Sequence, residues 1–268
     1  MRFTKFIGAS ELNTDWSPAS YLKFADERSR PTLDLLARIP LVSPQLVYDL
    51  GCGPGNSTAL LRKAYVDAHV IGVDNSPAML AKARETLPTV EFIEADLAQW
   101  QPDPTADLLF SNATFQWLPG HTKFLVRLLQ SLRKNRVLAL QMPDNLSEPS
   151  HRLMRDVATA GPWAGKLQRA GAARETLLTP FAYYNFLKPF CSHLEIWHTA
   201  YNHVLEGVQG IVDFVSSTGL RPFLGPLDEN EQQAFIAAYR ARLSDSYPLT
   251  VDGKVLMEFP RLFIVAQV

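Results

Sequence analysis

Glycines and carboxylates are spaced along the first third of the sequence in a pattern that could hold a small ligand. The segment VYDLGCGPGNST, residues 47–58, places Gly51, Gly53 and Gly55 two residues apart, after an apolar run that contains Asp49. Glycine costs chain entropy and adds no side chain to a core. This spacing therefore predicts a turn at which a ligand lies against bare backbone.

Two further acidic residues could complete such a site. Asp74 ends the run HVIGVD, and Asp96 follows the run VEFIEA. If both runs are strands of one parallel sheet, Asp74 can accept from both hydroxyls of a ribose and Asp96 from an adenine amino group, while Leu97 packs on the ring. Asp49 can meet an ammonium group. A ribose, an adenine and an ammonium together describe S-adenosylmethionine.

Other ligand motifs do not fit this segment. Asn56 takes the position at which the NAD fingerprint needs its third glycine, and no Gly-Lys-Ser or Gly-Lys-Thr follows, as a P-loop requires. The six histidines contain no His-Glu-x-x-His, and no cluster of cysteine and histidine has zinc spacing, so no metal is expected. Cys52 is interpreted as a small buried residue and not as a nucleophile.

Short apolar runs and helical segments alternate around these residues, and they must position them. The runs that predict strands are LVYDL, HVIGVD, VEFIEAD, ADLLFSN, RVLALQM, HLEIWHTAYNHV and RLFIVAQV. Helices are predicted between them and from Ser17-Pro18 and Ser76-Pro77, where serine caps a helix that proline begins. The alternation favours an α/β fold with a doubly wound, mostly parallel seven-stranded sheet.

The predicted organisation has three parts. Residues 1–14 read as a flexible extension, and residues 15–144 as a Rossmann-like cofactor-binding core with N-terminal helices. Residues 145–268 read as a helical lid that binds substrate, together with the last two strands.

The composition excludes several classes of function. The 268 residues carry a formal net charge of −1, so no basic surface for nucleic acid is expected. No run approaches the length of a membrane span, and no signal peptide is evident. Two cysteines are too few for a disulfide framework, which favours the cytoplasm. No obligatory protein partner is indicated.

Longer segments carry a resemblance to a known family. D-x-G-C-G-x-G resembles the class I methyltransferases, and ADLLFSNATFQWLPGH, STGLRPFL and FPRLFIVA resemble the trans-aconitate 2-methyltransferase family over nearly all of residues 15–266. The resemblance implies S-adenosylmethionine as cofactor and a monomethyl ester of a small polycarboxylic acid as product. The implied cofactor-binding residues are Asp49, Gly51, Gly53, Gly55, Asn56, Asp74, Asn75, Met79, Asp96, Leu97 and Asn112. Lys134-Asn135-Arg136 replaces the Pro-Gly-Gly usual in such proteins, and Asn135 can adopt the left-handed conformation there.

The implied reaction needs no general base, because a carboxylate is already ionised at neutral pH. The harder task is to hold the carboxylates that do not react, for which arginine is best suited. Arg221 is the first candidate and Arg261 the second, followed by Arg28 and Arg30. The other predicted pocket residues are Trp117, Gln116, Trp16, Tyr21, Tyr201 and His203.

Other functions stay open at this point. A methyltransferase acting on another acid, such as a malonyl carrier protein, would need a basic docking patch, of which Arg133, Lys134 and Arg136 are a weak sign. A binding protein that has lost catalysis is disfavoured, because no motif residue is missing. A DNA amino methylase is disfavoured because Asn112 is not followed by Pro-Pro-aromatic.

Overall fold

The computed structural model describes residues 25–216 and 218–268, with side chains from residue 29 onward. Seven strands form one sheet in the order β3-β2-β1-β4-β5-β7-β6. They are β1 (Leu46–Leu50), β2 (His69–Asp74), β3 (Glu91–Glu94), β4 (Leu108–Asn112), β5 (Val137–Pro143), β6 (His193–Leu205) and β7 (Val255–Gln267). β1 to β5 are parallel, whereas β7 is antiparallel to both β5 and β6. The predicted mostly parallel seven-stranded sheet is confirmed.

Helices cover the sheet and build the part of the molecule above it. Those of the described residues are α1 (Ala25–Leu36), α2 (Asn56–Ala64), α3 (Pro77–Thr86), α4 (His121–Ser131), α5 (Pro149–Ala160), α6 (Pro180–Leu187), α7 (Gly207–Ser216), α8 (Arg221–Leu224) and α9 (Glu229–Ser246). Local signals set their starts. The Ser76 hydroxyl accepts from the backbone N–H of Met79 at 3.3 Å, and Pro77 follows it, as predicted.

The register of the parallel strands brings their carboxyl ends to one edge of the sheet. Asp49 pairs with Gly72, Asp74 with Glu94 and Asn112 with Gln141. β5 is buried along its whole length, as expected of a near-continuous apolar run in the middle of a sheet. The glycine turn after β1 and the residues that follow β2 and β4 therefore meet at the same edge.

Helices α5 and α7 to α9 share one apolar core, and we call this part of the molecule the lid; α6 packs into the core of the sheet through Tyr183 and Leu187. α5 and α6 lie between β5 and β6 in the chain, and α7, α8 and α9 lie between β6 and β7. The lid has its own apolar core, in which Phe214, Phe235 and Tyr239 are buried, and the first half of β7 packs into it through Met257. The second half of β7 packs into the core of the sheet. β7 thus joins the two cores.

The structure tests some of the sequence predictions, and others concern residues that it does not describe. Asn135 has φ +65°, so the predicted left-handed turn is confirmed. Trp16, Tyr21, the side chain of Arg28 and the predicted helix start at Ser17 lie outside the described residues. Across the described part of the chain, no helix is long and apolar enough to cross a bilayer, and no three or more His, Cys, Asp or Glu side chains cluster as metal ligands would.

Candidate active site

A cavity of about 500 Å³ lies at the carboxyl edge of the sheet, where β1, β2 and β4 end. Most of the predicted cofactor residues line it. These are Gly51, Gly53, Asn56, Asp74, Asn75, Met79, Asp96, Leu97 and Asn112, and Trp117 lies on the same wall. Residues that the sequence pattern singled out in four separate loops therefore line one cavity. We call this space the larger cavity.

The turn after β1 uses its glycines in three different ways. Gly51 has φ +72°, and a Cβ there would lie 2.1 Å from Thr114 Oγ1. Gly53 has φ +54°, and a Cβ there would meet nothing within 4 Å, so bare backbone faces the open cavity. Gly55 has φ +93° and packs toward Leu87, and it is not among the residues lining the cavity. Close approach is required at Gly51, and backbone conformation is required at all three.

Asp74 and Asp96 both face this cavity, and each also stabilises its own loop. Asp74 Oδ2 accepts from the backbone N–H of Gly53 at 2.8 Å, and Oδ1 accepts from that of Ser76 at 2.9 Å. Asp96 Oδ1 accepts from the N–H of Ala98 at 2.9 Å. Asp74 therefore connects the end of β2 to the glycine turn.

Asp49 lies beneath the glycine turn and does not line the larger cavity. Its Oδ2 accepts from the hydroxyls of Ser57 at 2.7 Å and Thr58 at 2.6 Å. Its Oδ1 is buried and has no hydrogen-bond partner among the described residues. Burial raises the pKa of this carboxyl to about 6, although the two hydroxyls favour the ionised form. That Asp49 meets an ammonium group stays a prediction.

A second cavity of about 60 Å³ adjoins the larger one beneath the lid, and the two share Asn112, Ala113 and Trp117 in their walls. Ala113 has φ +59°, a conformation that is unfavourable for a residue with a Cβ. Backbone strain of this kind is often found at functional sites. The shared wall is the place at which two bound molecules would touch.

Among the described residues, two arginines line the second cavity. Arg261 is buried, and its Nη1 donates to Gln141 Oε1 at 3.0 Å, while its guanidinium lies 4.8 Å from the centre of the Phe259 ring. Arg174 donates from Nη1 to Asn145 Oδ1 at 3.0 Å and from Nη2 to the carbonyl of Pro143 at 2.9 Å. The second cavity is therefore electropositive.

Arg174 is a site residue that the sequence did not reveal. Its guanidinium lies 5.4 Å from the ring centre of Trp117, and its Nε is buried without a partner in the described residues. Burial lowers its pKa to about 10, so it is still protonated at neutral pH. Arg174 follows the short turn Ala170–Ala172 and belongs to no motif, so only the packing of the lid places it here.

The structure divides the remaining predicted pocket residues. Gln116 lines the second cavity, and its Nε2 donates to the carbonyl of Ala113 at 2.6 Å. Tyr201 donates to Asp34, and His203 packs against the rings of Phe214 and Phe259. Neither Tyr201 nor His203 is among the residues lining either cavity.

Arg221 and Arg30 lie away from these walls. Arg221 begins α8 and is not among the residues that line the larger cavity, the second cavity or the small space behind Arg174, although its neighbour Pro222 lines that space. Arg30 is exposed on α1. Arg261, but not Arg221, therefore lies in the wall of the second cavity, together with Arg174. That Arg221 or Arg261 binds a carboxylate stays a prediction.

Solved structures share this fold at low sequence identity. The phosphoethanolamine N-methyltransferase 2 of Haemonchus contortus, solved in complex with S-adenosyl-L-methionine, aligns with a TM-score of 0.57 at 16% identity, covering 93% of this chain and 56% of that one. The YcgJ protein of Bacillus subtilis aligns with a TM-score of 0.58 at 13% identity, covering 89% and 98%. Similarity at these identities shows the fold alone.

Sequence comparison shows the family as well as the fold. A profile of the methyltransferase domain matches residues 47–135. A trans-aconitate 2-methyltransferase of Rhodopseudomonas palustris is 56% identical over 252 residues, covering 94% of this chain and 98% of that protein. The protein of the same name from Yersinia pestis is 50% identical with the same coverage. The glycine turn, the adjoining cavities and this near full-length identity agree: the chain belongs to the trans-aconitate 2-methyltransferase family.

Proposed function

We propose that this protein transfers a methyl group from S-adenosylmethionine to one carboxylate of trans-aconitate, giving a monomethyl ester. The observation that carries the proposal is the meeting of two unlike cavities at Asn112, Ala113 and Trp117. One is large and edged by bare glycine backbone and carboxylates. The other is small and is lined by the buried Arg261 and the half-buried Arg174. The first suits a nucleoside with a cationic tail, and the second suits an acid with several negative charges.

The larger cavity fits the cofactor. Its volume of about 500 Å³ lies in the usual range for small-molecule sites. Asn112 Oδ1 is a buried acceptor in its wall and has no partner among the described residues, and a ligand ammonium would supply the missing donor. Asp74 and Asp96 would take the ribose hydroxyls and the adenine amino group. When bound, S-adenosylmethionine supplies an electrophilic methyl group on a sulfonium.

The second cavity holds the acid. A trianionic substrate has two carboxylates that do not react, and burying them unpaired would cost several kcal/mol. Arg174 and Arg261 can each present a planar pair of N–H donors to one of them. The third carboxylate, which an arginine fork would make less nucleophilic, is left for the shared wall. These contacts orient the reacting oxygen toward the larger cavity.

Proton transfer is not required of this site. The attacking carboxylate is ionised at neutral pH, and the three residues of the shared wall have no side chain that titrates there. The protein therefore contributes position, charge pairing and exclusion of water.

The alternative of a malonyl carrier protein as substrate loses part of its basis. Of the basic residues that suggested a docking patch, Arg136 is paired with the nearly buried Asp107. That pairing orders the turn after α4 and uses a charge that docking would need.

Methyl incorporation separates the candidates. The purified protein, given S-adenosylmethionine with a labelled methyl group, is expected to label trans-aconitate and to leave a malonyl carrier protein unlabelled. Arg174→Gln and Arg261→Gln are each expected to lower kcat/KM for trans-aconitate by roughly 10- to 100-fold, the scale of losing hydrogen bonds to a charged group. Labelling of the carrier protein but not of trans-aconitate would overturn the proposal.

A further inference from the structure

A buried hydrogen-bonded chain reaches Arg174 from behind. His151 lies in the first turn of α5, is buried, and borders the second cavity. Its Nδ1 is 3.1 Å from Ser150 Oγ, and its Nε2 is 3.3 Å from Asn145 Nδ2. Asn145 is fully buried, and its Oδ1 accepts from Arg174 Nη1 at 3.0 Å. The side chains of Ser150, His151 and Asn145 thus form a line that ends at the guanidinium.

The pattern of donors and acceptors assigns the tautomer of His151. Because Asn145 Oδ1 accepts from Arg174, the amide turns its Nδ2 hydrogens toward His151, and Nε2 must accept. The ring proton is therefore on Nδ1 and is donated to Ser150 Oγ. Burial and then the charges of Arg174 and Arg155 lower the pKa of His151 to about 3, so the ring is neutral at physiological pH.

Gly219 provides the room for this ring. A Cβ at Gly219 would lie 2.8 Å from His151 Nε2 and 3.2 Å from Cδ2, too close for either to stay in place. Gly219 belongs to the same TGLRP segment as Arg221 and lines the small space behind Arg174. The TGLRP segment therefore contacts His151 through Gly219, whereas Arg221 lines none of the three spaces.

We propose that Gly219, His151 and Asn145 are positioning residues that fix the Arg174 guanidinium and thereby set the preference of the second cavity for an acid with a carboxylate at that point. The inference rests on the proposed function and deepens it. Asn145 and the carbonyl of Pro143 each occupy one terminal nitrogen of Arg174, and the Trp117 ring lies against its face. The orientation of its remaining N–H groups, including Nε–H, depends on these contacts.

The selectivity between acids tests this inference. Trans-aconitate is compared with itaconate, trans-glutaconate and mesaconate, each of which lacks a different one of its three carboxylates. In Arg174→Gln, the preference for trans-aconitate should disappear over one of these dicarboxylates. That acid is the one that lacks the carboxylate bound by Arg174. Gly219→Ala and His151→Phe are expected to raise KM for trans-aconitate by about tenfold or more with a much smaller change in kcat. Both variants should also reduce the preference for trans-aconitate over the dicarboxylate identified with Arg174→Gln. They should leave turnover of that dicarboxylate nearly unchanged.

Two further variants sharpen the comparison. His151→Gln keeps an oxygen that can accept from Asn145, so its KM should lie closer to that of the unmodified protein than the KM of His151→Phe does. Gly165→Ala is the matched control for Gly219→Ala, because a Cβ at Gly165 would meet nothing within 4 Å. It should leave KM, kcat and the preference unchanged.

The outcomes separate the two proposals. If the unmodified protein does not methylate trans-aconitate, the proposed function fails. If it does, but Gly219→Ala and His151→Phe lower turnover of all four acids in proportion, positioning of Arg174 is wrong. Titration with S-adenosylhomocysteine reports folding in each variant, because the larger cavity is formed by other residues. A variant that does not bind it is discarded, and the remaining positioning variant decides.

Discussion

At the scale of single residues, the buried carboxyl of Asp49 is expected to make the stability of the protein depend on pH. Its carboxyl has an ordinary pKa of 3.8 that rises to about 6 in the folded protein, mainly because the group is fully buried. Between these values the folded state binds a proton more tightly than the unfolded chain does. Ionised Asp49 therefore opposes folding above about pH 6, and this penalty is absent below about pH 4.

Asp49→Asn should consequently stabilise the protein at pH 8. The free energy of unfolding is expected to rise by up to about 3 kcal/mol there and to be unchanged near pH 3.5. Urea unfolding at the two pH values measures the difference, and the exposed Asp67→Asn is the matched control. The same variant should bind S-adenosylmethionine more weakly, because a cation loses a nearby carboxylate. Equal stability at pH 8 would mean that the buried carboxylate is better stabilised than its unpartnered Oδ1 indicates.

At the scale of elements, α9 is part of the lid and packs into its apolar core through Phe235 and Tyr239. Its start is a capping box: Asp228 accepts from the N–H of Glu231 at 2.9 Å, and Glu231 Oε2 accepts from the N–H of Asp228 at 3.0 Å. From the middle of α9, Tyr239 donates to the carbonyl of Ser150 at 2.6 Å, next to His151. The helix therefore contacts the residues behind Arg174.

Asp228→Ala should weaken the lid without touching the cavities. Loss of the cap is expected to cost about 1 kcal/mol of stability, seen as a lower urea midpoint. Glu229→Gln changes a neighbouring exposed charge and leaves the cap intact, so it serves as the control. An unchanged midpoint in Asp228→Ala would show that α9 is held by its apolar face alone.

Elements were easier to predict from the sequence than the site above them. The glycine turn, Asp74 and Asp96 could be predicted from local patterns, since each lies at or just after the end of a strand whose apolar run is visible in the sequence. Arg174 and His151 are brought together by packing between a loop and α5. Neither hydrophobic periodicity nor a sequence motif predicts that contact. The TGLRP motif suggested Arg221 as a site residue. In the structure, the residue of that motif that packs against His151 is Gly219.

At the scale of the whole molecule, the ionisable groups predict how activity depends on pH. The shared wall carries no titrating side chain, and His151 is neutral because its pKa is lowered to about 3. With both substrates saturating, the single-turnover rate should reach a plateau once the acid is fully ionised. It should show no further rise governed by a histidine near pH 6.5. Rapid quench at pH 5.5 to 9 tests this, and a rise removed by His203→Gln would contradict it.

The position of β7 has a consequence for how the chain assembles during synthesis. β7 lies between β5 and β6 and pairs with both, yet it follows all six other strands in the chain. Until it is made, the fully buried β5 has an open edge, and such edges invite pairing with other chains. β7 also carries Arg261 into the second cavity and joins the apolar core of the lid to that of the sheet. A nascent chain that has completed six strands therefore has neither a continuous sheet nor Arg261 in the second cavity, and we expect it to be most prone to pairing with other chains at that stage.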